Sequence, residues 1–204
     1  MSGDADFDHW QGRFAGEEYR FGTTPNAFLK SQAHLLRKGQ KALAIADGEG
    51  RNGVFLAEQE LDVWSIDFSP NAQAKARKLA QERGVTLHIE RADIIQWAWP
   101  ASAFDVVAAI FFQFAAPLQR DKIFAGIKRT LKAGGLLLLE GYRPKQLEYK
   151  TGGPSRVENL YTRAMLEKAF ADFASLDIRE YDAEIHEGAG HGGMSALIDL
   201  VGRK

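Results

Sequence analysis

The sequence predicts a single doubly wound α/β domain, and three observations predict it. From Lys41 onward, short apolar runs rich in β-branched or aromatic residues alternate with segments of helical period, the βαβα rhythm of a parallel sheet covered on both faces. A glycine-rich stretch, Gly48-Glu49-Gly50-Arg51-Asn52-Gly53, joins the first apolar run to the first helical segment. The chain has 204 residues and no visible linker, which is the size of one domain with a substantial core.

Residues 1–40 precede the core and read as a helical or lid segment. The core, 41–142, opens with a strand over 42–46; Val54, Phe55, Leu56 and Leu61 after the glycine turn suggest a helix packing back on the sheet. A second strand is predicted over 63–68. Ser69 then offers an N-cap and Pro70 a first helical position for a helix over 71–83, which Gly84 ends. Val85, Leu87 and Ile89 alternate with polar neighbours, giving a third strand near a sheet edge that closes at Ala92-Asp93. Residues 104–112 are almost continuously apolar, the pattern of a central strand buried on both faces. Ile123, Phe124, Ile127 and Leu131 form one helical face, Gly134-Gly135 end that helix, and 136–139 is a fifth strand.

Residues 143–204 are expected to hold a substrate loop, a helix and a strand pair. The stretch 143–159 is polar, with two prolines and a Gly-Gly pair, and reads as loop. Thr162 can cap a helix whose face is Met165, Leu166, Ala169, Phe170 and Phe173. Strands over 176–185 and 195–201 follow, and the glycine-rich connection between them is too short for a crossover helix, so they should be antiparallel.

Composition narrows the function. There are 26 Lys and Arg against 27 Asp and Glu, so no global field draws the chain to nucleic acid or to an anionic membrane, and small-molecule partners are expected. The absence of cysteine excludes disulfides, thiolate metal sites and a cysteine nucleophile. The acidic N-terminus has neither the basic nor the apolar region of a signal peptide, and no apolar run reaches the length of a membrane span, so a cytoplasmic location is expected. No self-complementary patch identifies an oligomeric state.

The glycine turn follows a strand and opens a helix, the setting of a nucleotide-binding turn in which the backbone approaches a ligand and helix amides face it. Asp67 lies 19 residues beyond Gly48, at the end of the second strand, where a carboxylate can accept both hydroxyls of a ribose; it could equally cap the turn that follows. Two chemistries share this arrangement. One is hydride transfer by a dinucleotide enzyme, but no tyrosine is followed four positions later by lysine, an aspartate follows the third strand, and the sheet ends in an antiparallel pair.

The other is methyl transfer. The sequence resembles the class I S-adenosylmethionine-dependent methyltransferases through residues 43–52 (LAIADGEGRN), Ser65-Ile66-Asp67, Ala92-Asp93-Ile94 and Phe104-Asp105-Val106-Val107. Within them it resembles the tellurite-resistance and thiopurine methyltransferase-like branch. That likeness rests on Trp10, Tyr19, Gly22, Pro25-Asn26 and Phe28-Leu29, and on Gly152-Gly153-Pro154, the helix near Met165 and residues 187–191. The resemblance implies a mostly parallel seven-stranded sheet in the order 3-2-1-4-5-7-6 with an antiparallel last strand. It implies S-adenosyl-L-methionine as cofactor, held by Asp47, Gly48, Gly50, Asn52, Asp67, Phe68, Asp93, Ile94 and Ile110. The family often has an acidic residue where this chain has Ala44 and a glycine where it has Ala46, which keeps a non-catalytic relative in view.

Ligands of open α/β sheets bind beyond the carboxyl ends of the strands, which brings Phe111 and Phe112 after the fourth strand and Arg143 after the fifth into the expected acceptor site. Aromatic faces suit a cationic sulfonium, although phenylalanine at strand ends also serves plain packing. His186 and His191 flank a glycine-rich turn, and contact with substrate is expected of them. A metal is not, because no third ligand accompanies them. His191 and Tyr19 are the candidate catalytic side chains, Tyr19 from a segment that can fold over the pocket. The basic stretch Arg143, Lys145, Lys150 and Arg156 either attracts an anionic acceptor or is a solvated loop.

Overall fold

Apolar residues that continue without alternation through β1 (Lys41–Ile45) and β4 (Phe104–Ile110) put these two strands side by side in the middle of a sheet. The computed structural model describes residues 3–204; Met1 and Ser2 of the acidic N-terminus lie outside the described residues. Around the central pair run β2 (Asp62–Asp67), β3 (His88–Arg91), β5 (Leu131–Tyr142), β6 (Ser175–Glu187) and β7 (His191–Arg203). The order is β3-β2-β1-β4-β5-β7-β6, with β7 antiparallel to both neighbours and every other pairing parallel.

The helices are α1 (Gly3–Arg13), α2 (Ala27–Ser31), α3 (Arg51–Glu58), α4 (Pro70–Glu82), α5 (Pro117–Thr130), α6 (Gln146–Tyr149) and α7 (Arg163–Ala169). Successive side chains of each central strand point to opposite faces, so the sheet divides the core in two. Leu43, Ile45, Val107, Leu137 and Leu139 pack with Ile123 and Ile127 of α5 and Leu166 of α7. Ala42, Ala44, Val106, Leu136 and Leu138 pack with Phe28 and Leu29 of α2 and Phe55 and Leu56 of α3. Ser69 and Thr162 cap α4 and α7 as expected, accepting from Ala72 N and Met165 N at 3.2 Å each. Such a cap is worth about 1 kcal/mol.

Three boundaries differ from the sequence reading. The third strand starts at His88, because Val85 N bonds Ala80 O at the end of α4 and Val85 and Leu87 pack against Val54 and Leu79 instead. The helix before the fifth strand stops at Thr130, and Gly134-Gly135 lie inside β5, where the register with β4 shifts from Phe104↔Leu131 to Val106↔Leu136. The last hairpin is longer than 176–185 and 195–201: its ladder runs out to Glu187↔His191. The stretch read as loop also holds α6 and a 3-10 turn, Val157–Asn159. Among the described residues no helix is long and apolar enough to cross a membrane.

Candidate cofactor and acceptor site

A cleft of about 600 Å³, counting its open mouth, lies beyond the carboxyl ends of β1, β2 and β4. Its floor is the turn after β1. Ala46 takes a left-handed backbone (φ +45°) at the position where a glycine is common, and Gly48 follows at φ +58°. The Asp67 carboxylate, 5% exposed, accepts from Gly48 N (2.9 Å) and Ser69 N (2.8 Å), which ties the turn to the end of β2. Burial pushes Asp67 up to about 6 against the pull of these N–H groups. It braces two turns, as the capping reading expects, and it also lines the cleft, with lone pairs beyond those two bonds.

Asp47 also lines the cleft, but its carboxylate points into the fold. It accepts from Gly53 N (3.1 Å) and Ser65 Oγ (2.6 Å), and burial pushes it up to about 7. A Cβ on Gly53 would stand 2.4 Å from Asp47 Oδ2, so this glycine makes room for the brace. Gly50 corrects the expectation that it approaches the cofactor: it is absent from the cleft wall, and a Cβ there would meet Ala76 Cβ at 2.6 Å, so it lets α3 lie on α4. Asn52, Phe68 and Ile110 line the cleft, with the Asn52 side chain accepting from Asn26 N at 3.0 Å. Asp93 and Ile94 do not: Asp93 caps its own turn through Ile95 N (2.9 Å), and Ile94 is buried in the core.

The segment before β1 closes the other side. Trp10 of α1 and Phe14 just beyond it stack with centroids 5.7 Å apart, Phe14 meets Phe21 edge-on at 6.3 Å, and all three line the cleft. Phe111, left-handed at φ +52°, turns its ring at the end of β4 against Tyr142 (4.7 Å) and His191 (4.8 Å). A bulky residue holds such a backbone only where its surroundings over-determine it. Phe112 lines the cleft and is otherwise buried in the core. The His191 ring lies 4.5 Å from that of Phe21, inside this aromatic collar.

Because the hairpin ladder reaches Glu187↔His191, the two side chains meet: His191 Nδ1 is 3.2 Å from Glu187 Oε2, which also accepts from Arg51 (2.7 Å). Burial pushes Glu187 up, but His191 and Arg51 outweigh it and hold the carboxyl down at about 2. An ionised Glu187 fixes the proton on Nδ1, leaving Nε2 with a lone pair and, among the described residues, no hydrogen-bond partner. Burial lowers His191 against the pull of Glu187, so the ring is neutral at pH 7. Asn26 ties the arrangement together, its amide donating to Glu187 Oε1 (3.1 Å) and to Glu140 Oε2. Burial, with Asp199 and Glu187 nearby, pushes the Glu140 carboxyl well above the usual carboxylate range.

Three expected site residues lie elsewhere. Arg143 donates to Leu197 O (3.0 Å), Tyr181 O (3.1 Å) and Asp182, so its guanidinium staples the loop to the hairpin. His186 alternates to the opposite face from His191's pairing partner Glu187 and is exposed, beside Glu184. Tyr19 donates to Lys75 O on α4 (3.1 Å), away from the cleft wall. Sequence reasoning missed Phe14 and Phe21 entirely, and the joint role of Asn26, Arg51 and Glu187; these come together only through the fold, with no fixed spacing to announce them.

The strand order, the glycine turn opening a helix and the carboxylate closing β2 define a class I methyltransferase fold. Residues 42–135, a little under half of the chain, match the family model described as a methyltransferase domain. The demethylmenaquinone methyltransferase of Thermus thermophilus is 31% identical over 112 residues, 54% of this chain and 50% of that one. The protein-L-isoaspartate O-methyltransferase 2 of Marinobacter nauticus is 32% identical over 113 residues, 54% and 48%. The aligned stretch thus spans about half the length of these relatives. TehB from Haemophilus influenzae shares the fold with a TM-score of 0.73 at 18% identity, over 97% of this chain and 66% of that one. A SAM-dependent methyltransferase from Methanosarcina mazei does so at 0.69 and 18%, over 89% and 98%.

Proposed function

We propose that the chain is a single-domain enzyme that moves the methyl group of S-adenosyl-L-methionine onto a small molecule in the cytoplasm, with residues 1–40 as the lid of its cleft. One observation carries the reading: the wall that holds the buried Asp67 and Gly48 at one end continues into the aromatic collar and the free Nε2 of His191 at the other. The residues fit the cofactor, since Asp67 offers a carboxylate to ribose hydroxyls and the Trp10, Phe14 and Phe111 rings offer faces to a cation. When bound, that cofactor supplies an electrophilic methyl on a sulfonium. Asp67 and the glycine turn hold and orient it, the α1 rings exclude water, and His191 takes the acceptor's proton through Nε2. Near-neutral charge supports a small-molecule acceptor over a nucleic acid or a membrane surface.

Calorimetric titration with S-adenosylmethionine, S-adenosylhomocysteine, NADH and NADPH tests this reading. Saturable binding of the two sulfur compounds alone is expected. Binding of a nicotinamide cofactor alone would return the chain to the dehydrogenase alternative, and silence from all four would make it a non-catalytic relative.

A further inference from the structure

We infer that the acceptor is a small, neutral, apolar molecule that brings its own proton on the reacting atom, a thiol or a hydroxyl, and is not an oxyanion; this rests on the methyl-transfer reading above. The argument starts from where the positive charge of this region has gone. Arg51 and Glu187 face each other with side chains 8% and 11% exposed, and Lys75 is paired with Glu49 at 2.7 Å, 11% and 2% exposed. The basic loop that could have drawn an anion is turned elsewhere: Arg143 and Lys145 share Asp182 of β6, and none of Arg143, Lys145, Lys150 and Arg156 lines the cleft. Arg13 and Arg20 remain without a carboxylate partner among the described residues; Arg13 lies over the Trp10 ring at 4.9 Å and the Phe21 ring at 6.0 Å, and neither arginine lines the cleft. The acceptor end of the wall is ring, Phe21, Phe111, Phe114 and the imidazole of His191, and the cation on that wall, Arg51, is taken up by Glu187. Ring faces are electron-rich, and an anion taken from water into such a collar without a cation loses its hydration uncompensated.

The second argument is the base. As a neutral acceptor's lone pair bonds the methyl carbon, the C–S bond breaks with its electron pair remaining on sulfur, and the acceptor's X–H proton passes to His191 Nε2. The positive charge of the sulfonium thus ends as imidazolium, 3.2 Å from the ionised Glu187. An acceptor that arrived as an anion would release no proton, and the Glu187–His191 pair would have nothing to receive. The charged and titratable groups around His191 are Glu187 on β6, Arg51 on α3, Arg13 on α1 and Tyr142 on β5. Of these Glu187 alone is an anion at neutral pH, and it supports the protonated ring.

The full-length protein saturated with S-adenosylhomocysteine should bind phenylmethanethiol at least about tenfold more tightly than 4-(mercaptomethyl)benzoate at pH 7, by calorimetry. Equal or tighter binding of the carboxylate overturns the proposal, and so does binding of neither thiol. Failure to hold S-adenosylhomocysteine at all sinks the methyl-transfer reading itself. In turnover, His191→Gln should lower the rate with phenylmethanethiol about 100-fold, within the usual range for a lost general base, and far less with benzenethiol, which is largely thiolate at that pH. Equal losses with the two thiols would remove the base from the argument. Unchanged S-adenosylhomocysteine affinity in His191→Gln shows that the variant is folded.

Discussion

At the cofactor end of the cleft, Asp47 and Asp67 are buried against backbone N–H groups and one hydroxyl, whereas at the acceptor end Glu187 is buried against Arg51 and His191. The first pair is held by atoms a few residues away in the chain or on the adjoining strand. The second is assembled from α3, the segment before α2 and the far tip of the hairpin. Their carboxyls accordingly move in opposite directions, Asp47 and Asp67 up and Glu187 down. Backbone dipoles do not repay the loss of hydration in full, and a guanidinium in contact does.

The largest effect should come from Gly50→Ala. A left-handed alanine costs about 1–2 kcal/mol and overpacking against Ala76 about 1–3 more, so thermal unfolding should show about 2–5 kcal/mol of lost stability. Cofactor affinity of the folded fraction should be kept; its loss would restore the glycine to the cofactor wall. Asp67→Ala should weaken S-adenosylhomocysteine about tenfold to a hundredfold, as expected when hydrogen bonds of about 1.5–3 kcal/mol to a charged group go. Unchanged affinity would leave Asp67 with a bracing role only. Arg143→Met should lower stability by about 1–2 kcal/mol through its lost carbonyl bonds and leave the acceptor KM unchanged. A raised KM would move the loop back into the acceptor site.

The pH dependence sharpens the same contrast. Between about pH 4 and 7 the folded chain keeps protons on Asp47 and Asp67 that the unfolded chain has released, so these two groups make stability fall as pH rises through that window. Glu187, with its folded value at about 2, contributes stability above pH 4.5 that is lost as pH falls towards 2. Denaturant titrations should find the upper slope flattened in Asp47→Asn and unaltered in a variant confined to the hairpin. The smallest effect belongs to Ala46→Gly, which should stabilise by up to about 1 kcal/mol by relieving the left-handed backbone.

The cofactor end was largely legible in the sequence because its causes are local. Ser69-Pro70 starts α4, the glycines open α3, and Asp67 sits at the end of a strand whose apolar pattern is plain. Even there the pattern misled over Gly50, because a glycine needed for helix contact and one needed for ligand approach look the same in a sequence. At the acceptor end, His191 and Glu187 were legible as neighbours of base-site composition, but their contact was not. Whether Glu187 faces His191 depends on how far the ladder runs, and residues 186–194 carry no alternation to fix it. His186 and Arg143 were drawn in by position alone, and strand alternation and Asp182 took them elsewhere.

Asn26 joins the first turn of α3, the end of β5 and the hairpin tip that carries His191, through Asn52, Glu140 and Glu187. Whichever ligand orders this node first has met part of the cost of ordering it for the other. If the proposed cofactor and acceptor both tighten this node, linkage requires the factor by which S-adenosylhomocysteine tightens the acceptor to equal the factor by which the acceptor tightens S-adenosylhomocysteine. Asn26→Ala should bring that shared factor towards one.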